Sequence, residues 1–300
     1  MTTTQTEMIH ASAAGFDALD TNTALSILAG AQMEAARAVE GAVAEIGAAA
    51  ALAAASLLAG GRLIYAAAGS SGLMALADAA ELPGTFGIAR DRIVMLLAGG
   101  LAGLPALEGG PEDDGEAARR DLAAVGVGPA DCVITLTASG YTPYPLAAAM
   151  AGRAAGARTL GLANKAGAAL FDQVDVGICL ATPPEVIAGS TRMGAGTAQK
   201  ITLNMLSTMV AVQLGHVHDG FMVNLIADNA KLRGRAQRIV SGVTGASAAE
   251  AAQFLEAADG AVKLAIIMAA GAADMDDARR LLAAHGGRLR PVLAALGRSA

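Results

Sequence analysis

The sequence predicts an α/β fold: a parallel five-stranded sheet flanked by helices, with a small helical appendage at the C-terminus. Three observations carry this. Five short runs of apolar, β-favouring residues recur between residues 63 and 180, each ending in glycine or polar residues. The runs are continuously apolar rather than alternating, which is the pattern of strands buried on both faces. Helix-favouring stretches lie between most of them, and alternating β and α segments imply a parallel sheet.

Residues 1–22 are polar and irregular. Thr21-Asn22-Thr23 is expected to cap an Ala-rich helical stretch from Ala24 to Leu58, divided near Gly41. The expected strands are Leu63 to Ala67, Arg92 to Leu97, Cys132 to Thr137, Thr159 to Leu162 and Val174 to Leu180. The expected intervening helices are Leu73 to Ala80, Asp113 to Val125 and Pro145 to Ala155. After Pro183-Pro184 no further strand is expected. Thr197 to Leu214 and Asn224 to Val240 read as long helices. Shorter ones follow at Ala248 to Ala258, Val262 to Ala270, Asp274 to Ala284 and Leu289 to Leu296, punctuated by Gly260, Gly271 and Gly286-Gly287. The expected organisation is an N-terminal segment (1–59), a central ligand-binding domain (60–245) and a helical domain (246–300).

Composition narrows the function. Of 300 residues, 75 are Ala and 37 are Gly; 54% are hydrophobic and 16% charged, which excludes a disordered chain. A net charge of −6 and 3% aromatics argue against a nucleic-acid surface, in both phosphate neutralisation and base stacking. Cys132 and Cys179 form no CxxC and no zinc spacing, as expected of reduced cysteines in a cytosolic protein. Met1 to Glu7 has no signal-peptide pattern. The most apolar run, Ile46 to Gly60, is short of a membrane span. A soluble, cytoplasmic protein is expected, with a subunit interface taking some of the apolar surface.

In an open α/β sheet, ligands sit beyond the carboxyl ends of the strands. Two loops there are small and hydroxyl-rich: Gly69-Ser70-Ser71-Gly72, and Ser139-Gly140-Tyr141-Thr142. Each opens a helix, so each can offer free N–H groups and a favourable dipole to an anion. The same hydroxyls could simply cap helices. Neither loop matches a dinucleotide or nucleotide motif, and no cofactor is indicated. A third loop, Ser190-Thr191-Arg192, adds two hydroxyls and a guanidinium suited to a carboxylate or phosphate. Glu81 lies between Ala80 and Leu82-Pro83, an apolar setting that would keep a general acid protonated. Glu108, Glu112, Asp113, Asp114 and Glu116 form a second acidic group, which could equally complement the start of a helix after Pro111. His10, His216, His218 and His285 show no metal or triad spacing, and the pair at 216 and 218 reads as the end of a helix.

Taken together these loops resemble the signatures of the N-acetylmuramic acid 6-phosphate etherase family, which has a sugar isomerase (SIS) fold and counts the glucokinase regulatory protein among its relatives. The resemblance lies in Gly69-Ser70-Ser71-Gly72, in Asp78-Ala79-Ala80-Glu81-Leu82-Pro83-Gly84-Thr85-Phe86-Gly87, in Ala138-Ser139-Gly140-Tyr141-Thr142-Pro143-Tyr144, and in the long block from Pro184 to Lys200. Leu203 to Thr208, Asn229 to Leu232 and Ala283 to Gly287 also fit. It covers nearly the whole chain from about residue 20.

The resemblance implies a carbon–oxygen lyase that removes D-lactate from C3 of an acidic amino-sugar phosphate. It implies Glu81 as acid and Glu112 as base, with Glu108 and Glu116 as weaker candidates for the base. Ser70, Ser71, Gly72, Ser139, Gly140, Thr142, Ser190, Thr191 and Arg192 are implied as substrate-binding, with no metal or cofactor and with a homodimer as the working form. The chain departs from the family at Leu73 and Tyr141, where Arg is usual, and at Gly194, where Lys is usual. Thr6-Glu7 is kept, but not the Arg-Asn that normally follows. A charge-assisted hydrogen bond is worth about 1.5–3 kcal/mol, so these changes could shift the preferred sugar or leave a sugar-phosphate sensor without turnover; an aldose–ketose isomerase on the same fold, which would release no lactate, is the third alternative.

Overall fold

The computed structural model describes residues 8–298, so the Thr6-Glu7 pair lies outside the described residues. The central element is a five-stranded, fully parallel sheet in the order β2-β1-β3-β4-β5. Its strands are β1 (Leu63–Ala67), β2 (Ile93–Leu97), β3 (Cys132–Thr137), β4 (Arg158–Ala163) and β5 (Val176–Cys179). All five expected strands are present within a residue or two. β1 and β3 are buried at every position, as their unbroken apolar runs require.

The Ala-rich N-terminal stretch forms α1 (Thr21–Arg37) and α2 (Val43–Leu58), joined by a 3-10 segment (Ala38–Ala42) that contains Gly41. The cap is Asp20, whose carboxylate accepts the N–H of Asn22 and Thr23, and not the Thr21 to Thr23 hydroxyls. An acceptor one residue earlier satisfies the same free donors. The buried methyls of Ala49, Ala50, Ala53 and Ala54 let α2 lie close against the sheet. By length and composition alone Thr21–Leu58 could cross a membrane, and the 3-10 segment divides it. α4 (Gly115–Ala124) and α5 (Pro143–Ala154) pack with β1 and β3 through Ala118, Leu122, Tyr144 and Ala148.

α3 (Gly69–Phe86) is longer than its expected span and runs through Pro83. One buried acid is tied to it. Asp78 accepts a hydrogen bond from the Tyr65 hydroxyl of β1 and another from the Ser207 hydroxyl of α6 (Gly194–Gln213), both at 2.9 Å. Burial raises the Asp78 carboxyl, although both bonds oppose the shift.

The chain forms two compact units. The first is residues to Ala79 with Asp91–Met209; the second is Ala80–Arg90 with residues from Val210 on. These limits differ from the boundaries expected near residues 60 and 246. The second unit holds α7 (Ala230–Thr244), α8 (Ala248–Ala257), α9 (Val262–Ala270), α10 (Met275–Ala284) and α11 (Leu289–Ala295) around Val240, Ala251, Ile266 and Val292. It also contains what the sequence reading excluded, a short antiparallel pair, β6 (Val217–His218) and β7 (Phe221–Met222). Asp219 and Gly220 turn it with positive φ, the usual chemistry of a two-residue hairpin. His218 therefore lies in a strand rather than at a helix end. α7 starts at Ala230, capped by Asn229, and not at Asn224.

Two polar clamps fix the first unit, and each generates a prediction. Asp131 accepts from the Arg62 backbone N–H (2.9 Å), Arg62 Nε (3.1 Å), Arg62 Nη2 (2.7 Å) and the Gly128 N–H (3.0 Å). Burial pushes this carboxyl up, but those bonds outweigh it and hold it below the usual range. Removing the acceptor strands a half-buried guanidinium. Asp131→Ala should cost about 2–3 kcal/mol in urea unfolding at pH 7. Because the folded pKa is depressed, the contribution is present above the unfolded value and fades as pH falls through the folded one. The gap from wild type should therefore narrow below about pH 4. The second clamp is Glu185, a buried carboxylate that accepts the Gly194 and Ala195 N–H groups at 2.9 and 2.8 Å, at the start of α6. Glu185→Ala leaves two buried donors open, and should lower stability by about 1–3 kcal/mol in the same assay.

Candidate active site

The strand order reverses between β1 and β3, the place where an open α/β sheet leaves a crevice at its carboxyl edge. The register pairs Ala67 with Leu136, so the loops after the two strands leave the sheet side by side. A cavity of about 210 Å³ opens there. It is lined by Ser70 and Ser71 after β1, by Thr137 at the end of β3 with Ser139 and Thr142 after it, by Thr191 from the third loop, and by Glu112.

Each wall has a local cause. Gly69 opens α3 with φ +50, so the N–H groups of its first turn have no intrahelical acceptor. Gly72 is buried, and a Cβ on it would lie 2.2 Å from Leu97 Cδ1, so glycine lets the Leu97 side chain of β2 pack directly against α3. Gly140 has φ +77, and a Cβ there would meet Ala168 Cβ at 2.2 Å. Both glycines shape the loops rather than line the cavity. On the β3 side, Thr137 and Thr142 hydroxyls hydrogen-bond at 2.7 Å, and Ser139 Oγ lies 3.4 Å from each. The Tyr141 N–H donates to Ser139 Oγ. Thr142 precedes α5 without capping it, so its hydroxyl belongs to this cluster and not to the helix. Thr137 was not among the residues singled out from sequence. Its signal was its place as the last residue of a buried strand.

The acids separate by structure. Asp114 caps α4 through the Ala117 N–H, and Glu116 pairs with Arg119 at 2.6 Å on the surface. Both serve the helix start. Glu112 sits in a 3-10 turn (Gly110–Asp113), half-buried, and faces the cavity. A Cβ on Gly69 would be only 3.5 Å from Glu112 Oε2, so the carboxylate lies directly against the start of α3. An adjoining cavity of about 140 Å³ also reaches Glu112, and there Glu108 joins it. Glu81 lies on α3 within the second unit and is exposed, not enclosed by apolar neighbours as expected. The alternation of a helix turns Asp78, Ala79 and Leu82 inward and leaves Glu81 outside.

The third loop is held by turns. Ser190 N–H donates to Ile187 O, Met193 N–H to Ser190 O, and Gly196 N–H to Thr191 O. Glu185 anchors both sides of it, a role that sequence reading missed. Its partners lie nine and ten residues along the chain, so no local motif marks it. Thr191 reaches the cavity, while Ser190 and the exposed Arg192 do not line it. Two of the family departures acquire a physical setting. Gly194 lies under α1, where a Cβ would be 3.1 Å from both Ala35 Cβ and Glu185 Oε2. Tyr141 is exposed, donates to Gly167 O at 3.2 Å, and carries the Lys165 ammonium 4.8 Å from its ring centroid. Among the described residues no group of three or more His, Cys, Asp or Glu is placed to hold a metal ion.

Comparisons with known proteins identify the family and the fold. The model of the SIS domain matches residues 29–164. An N-acetylmuramic acid 6-phosphate etherase of Deinococcus radiodurans is 45% identical over 99% of this chain and 98% of its own length. The protein of the same name from Geobacillus thermodenitrificans is 45% identical over 78% of this chain and 79% of its own. Among solved structures, that of the E. coli CFT073 protein c3406, solved as a ligand complex, matches with a TM-score of 0.50 at 15% identity, over 68% of this chain and 97% of that one, a likeness of fold. The extent of the Deinococcus match, end to end and through all three loops, means that the chain belongs to the N-acetylmuramic acid 6-phosphate etherase family of SIS-domain proteins.

Proposed function

We propose that this protein is a lyase that cleaves the D-lactyl ether of N-acetylmuramic acid 6-phosphate, giving N-acetylglucosamine 6-phosphate and D-lactate. The observation that carries the reading is the 45% identity over 99% of the chain to an etherase, joined to a hydroxyl-lined cavity that one carboxylate, Glu112, faces. Ser70, Ser71, Ser139 and Thr142, with the free N–H groups of α3, suit phosphate and sugar hydroxyl oxygens. Thr191 adds a hydroxyl, and Arg192 carries a guanidinium suited to the lactyl carboxylate.

The chemistry is an elimination followed by hydration. In the open-chain sugar the C1 aldehyde makes the C2 proton acidic. The Glu112 carboxylate takes that proton. The freed electron pair forms the C2=C3 bond as the C3–O bond breaks, and the departing lactate oxygen takes a proton from Glu81, the acid that the family resemblance implies, although its carboxyl is exposed and lines neither cavity described above. Water then adds across the double bond. Its oxygen bonds to C3, its proton goes to the Glu81 carboxylate, and Glu112 returns a proton to C2. Both acids end as they began, and no cofactor enters.

We also infer that the working form is a cytoplasmic homodimer, acting on amino sugars released in cell-wall recycling. Both described cysteines are unpaired, which suits a reducing compartment. α1 and α2 leave Leu25, Met33, Val43 and Leu58 more than half exposed, a face that a second copy would cover.

The deciding assay is D-lactate release from N-acetylmuramic acid 6-phosphate. Glu112→Gln and Glu81→Gln should each lower kcat by about 10²–10⁴-fold, the usual share of a general acid or base. Wild-type protein that binds the sugar phosphate without releasing lactate would instead be a sensor. Sedimentation velocity should give twice 29.6 kDa, and a fully active monomer would overturn the dimer.

A further inference from the structure

The second unit contains a cavity of about 750 Å³, within the size range of small-ligand sites. None of its lining residues lines the hydroxyl cavity described above. Its walls are largely apolar and include Leu225, Val262 and Leu282. Lys263 interrupts them. This residue lies in α9, whose sequence VKLAIIMAA is otherwise wholly apolar, and it is only 7% exposed.

Its ammonium donates a hydrogen bond to Gly287 O at 3.0 Å. An ammonium has three donors, and a carbonyl is not a counter-charge. Among the described residues no carboxylate forms an ion pair with Lys263. The one acid on the cavity wall, Asp259, is exposed. A second cation, Arg279, lines the same space, and its own partner is the exposed Asp276. Burying an unpaired charge is expensive, and Met would fill the Lys263 position at less cost. Burial pushes the Lys263 ammonium down to about 8. Burial, and after it the Lys263 charge, pushes His216 down to about 4. The cavity therefore holds positive charge that the described chain does not compensate.

We propose that this cavity is an anion site, in which Lys263 Nζ binds a carboxylate or phosphate oxygen of a small organic anion whose body lies against the apolar walls. Arg279 supplies the second, outer cation. The site stands independently of the etherase reading, since it uses none of that cavity's residues.

The test is NMR of the full chain labelled with ¹³C at lysine Cε, with the Lys263 signal assigned by its loss in Lys263→Met. The probes are D-lactate, N-acetylglucosamine 6-phosphate and inorganic phosphate. An organic probe should move the Lys263 signal and raise its titration midpoint by about one unit, because a bound anion favours the charged form. By calorimetry, Lys263→Met should weaken that probe at least about tenfold, and Arg279→Gln by a smaller factor. The Met variant fills the same space, and circular dichroism verifies that it is folded. A Ser139→Ala, Thr142→Val double variant, altered only in the other cavity, should keep the Lys263 response. Three results would overturn the proposal: no probe moves the signal, inorganic phosphate alone moves it, or the double variant abolishes the response.

Discussion

The candidate site hangs on the pairing of β1 with β3. Apart from Thr137, the last residue of β3, the strands contribute no hydroxyl to it from within the sheet. Each delivers a loop from its last residue, and the register of Ala67 against Leu136 sets those loops beside one another. In a strand buried on both faces, a slip by one residue would exchange the side chains presented to the two helical layers, so the register is strongly specified. Tyr65 shows how tightly. Its ring is fully buried and its hydroxyl meets Asp78. Moving it by one position would leave that acid with one of its two donors, the Ser207 hydroxyl. Hydroxyls from loops far apart in sequence thus converge without any direct bond between the two loops being needed.

Much of this was legible in the sequence, and the physical reasons differ by element. The strands announced themselves because the central ones are buried on both faces, which keeps each run largely apolar; a buried threonine such as Thr135 is accommodated where its hydroxyl finds a carbonyl, that of Leu160. Helix caps were harder to place. Asp20, one residue before the expected threonines, wins the α1 cap because a carboxylate accepts two N–H groups at once. The β6–β7 hairpin was missed because two-residue strands carry too little apolar pattern to register, although the Asp219-Gly220 turn was there to be read.

The acids show the limit of reading by spacing. Glu108, Glu112, Asp114 and Glu116 occupy one short stretch, and sequence offers each the same two roles. Geometry sorts them by what lies within reach: a free N–H for Asp114, a guanidinium for Glu116, the opening of α3 for Glu112. Glu81 shows the converse. Its sequence neighbours are apolar, but neighbours along a helix point in different directions, and the carboxylate faces outward. Glu185 was invisible for a third reason. Its partners are backbone groups nine and ten residues away, and a cap supplied from that distance leaves no local motif.

Gly194 carries a consequence for how this chain can change over evolutionary time. The methyl of Ala35 and the carboxylate of Glu185 occupy the space where a side chain at 194 would begin. A larger residue there would require Ala35 or Glu185 to give by a few tenths of an ångström. Positions 35 and 194 therefore form an epistatic pair. A side chain at 194 would be accommodated more readily opposite a glycine at 35, so the choice of residue at either position bears on what the other can become.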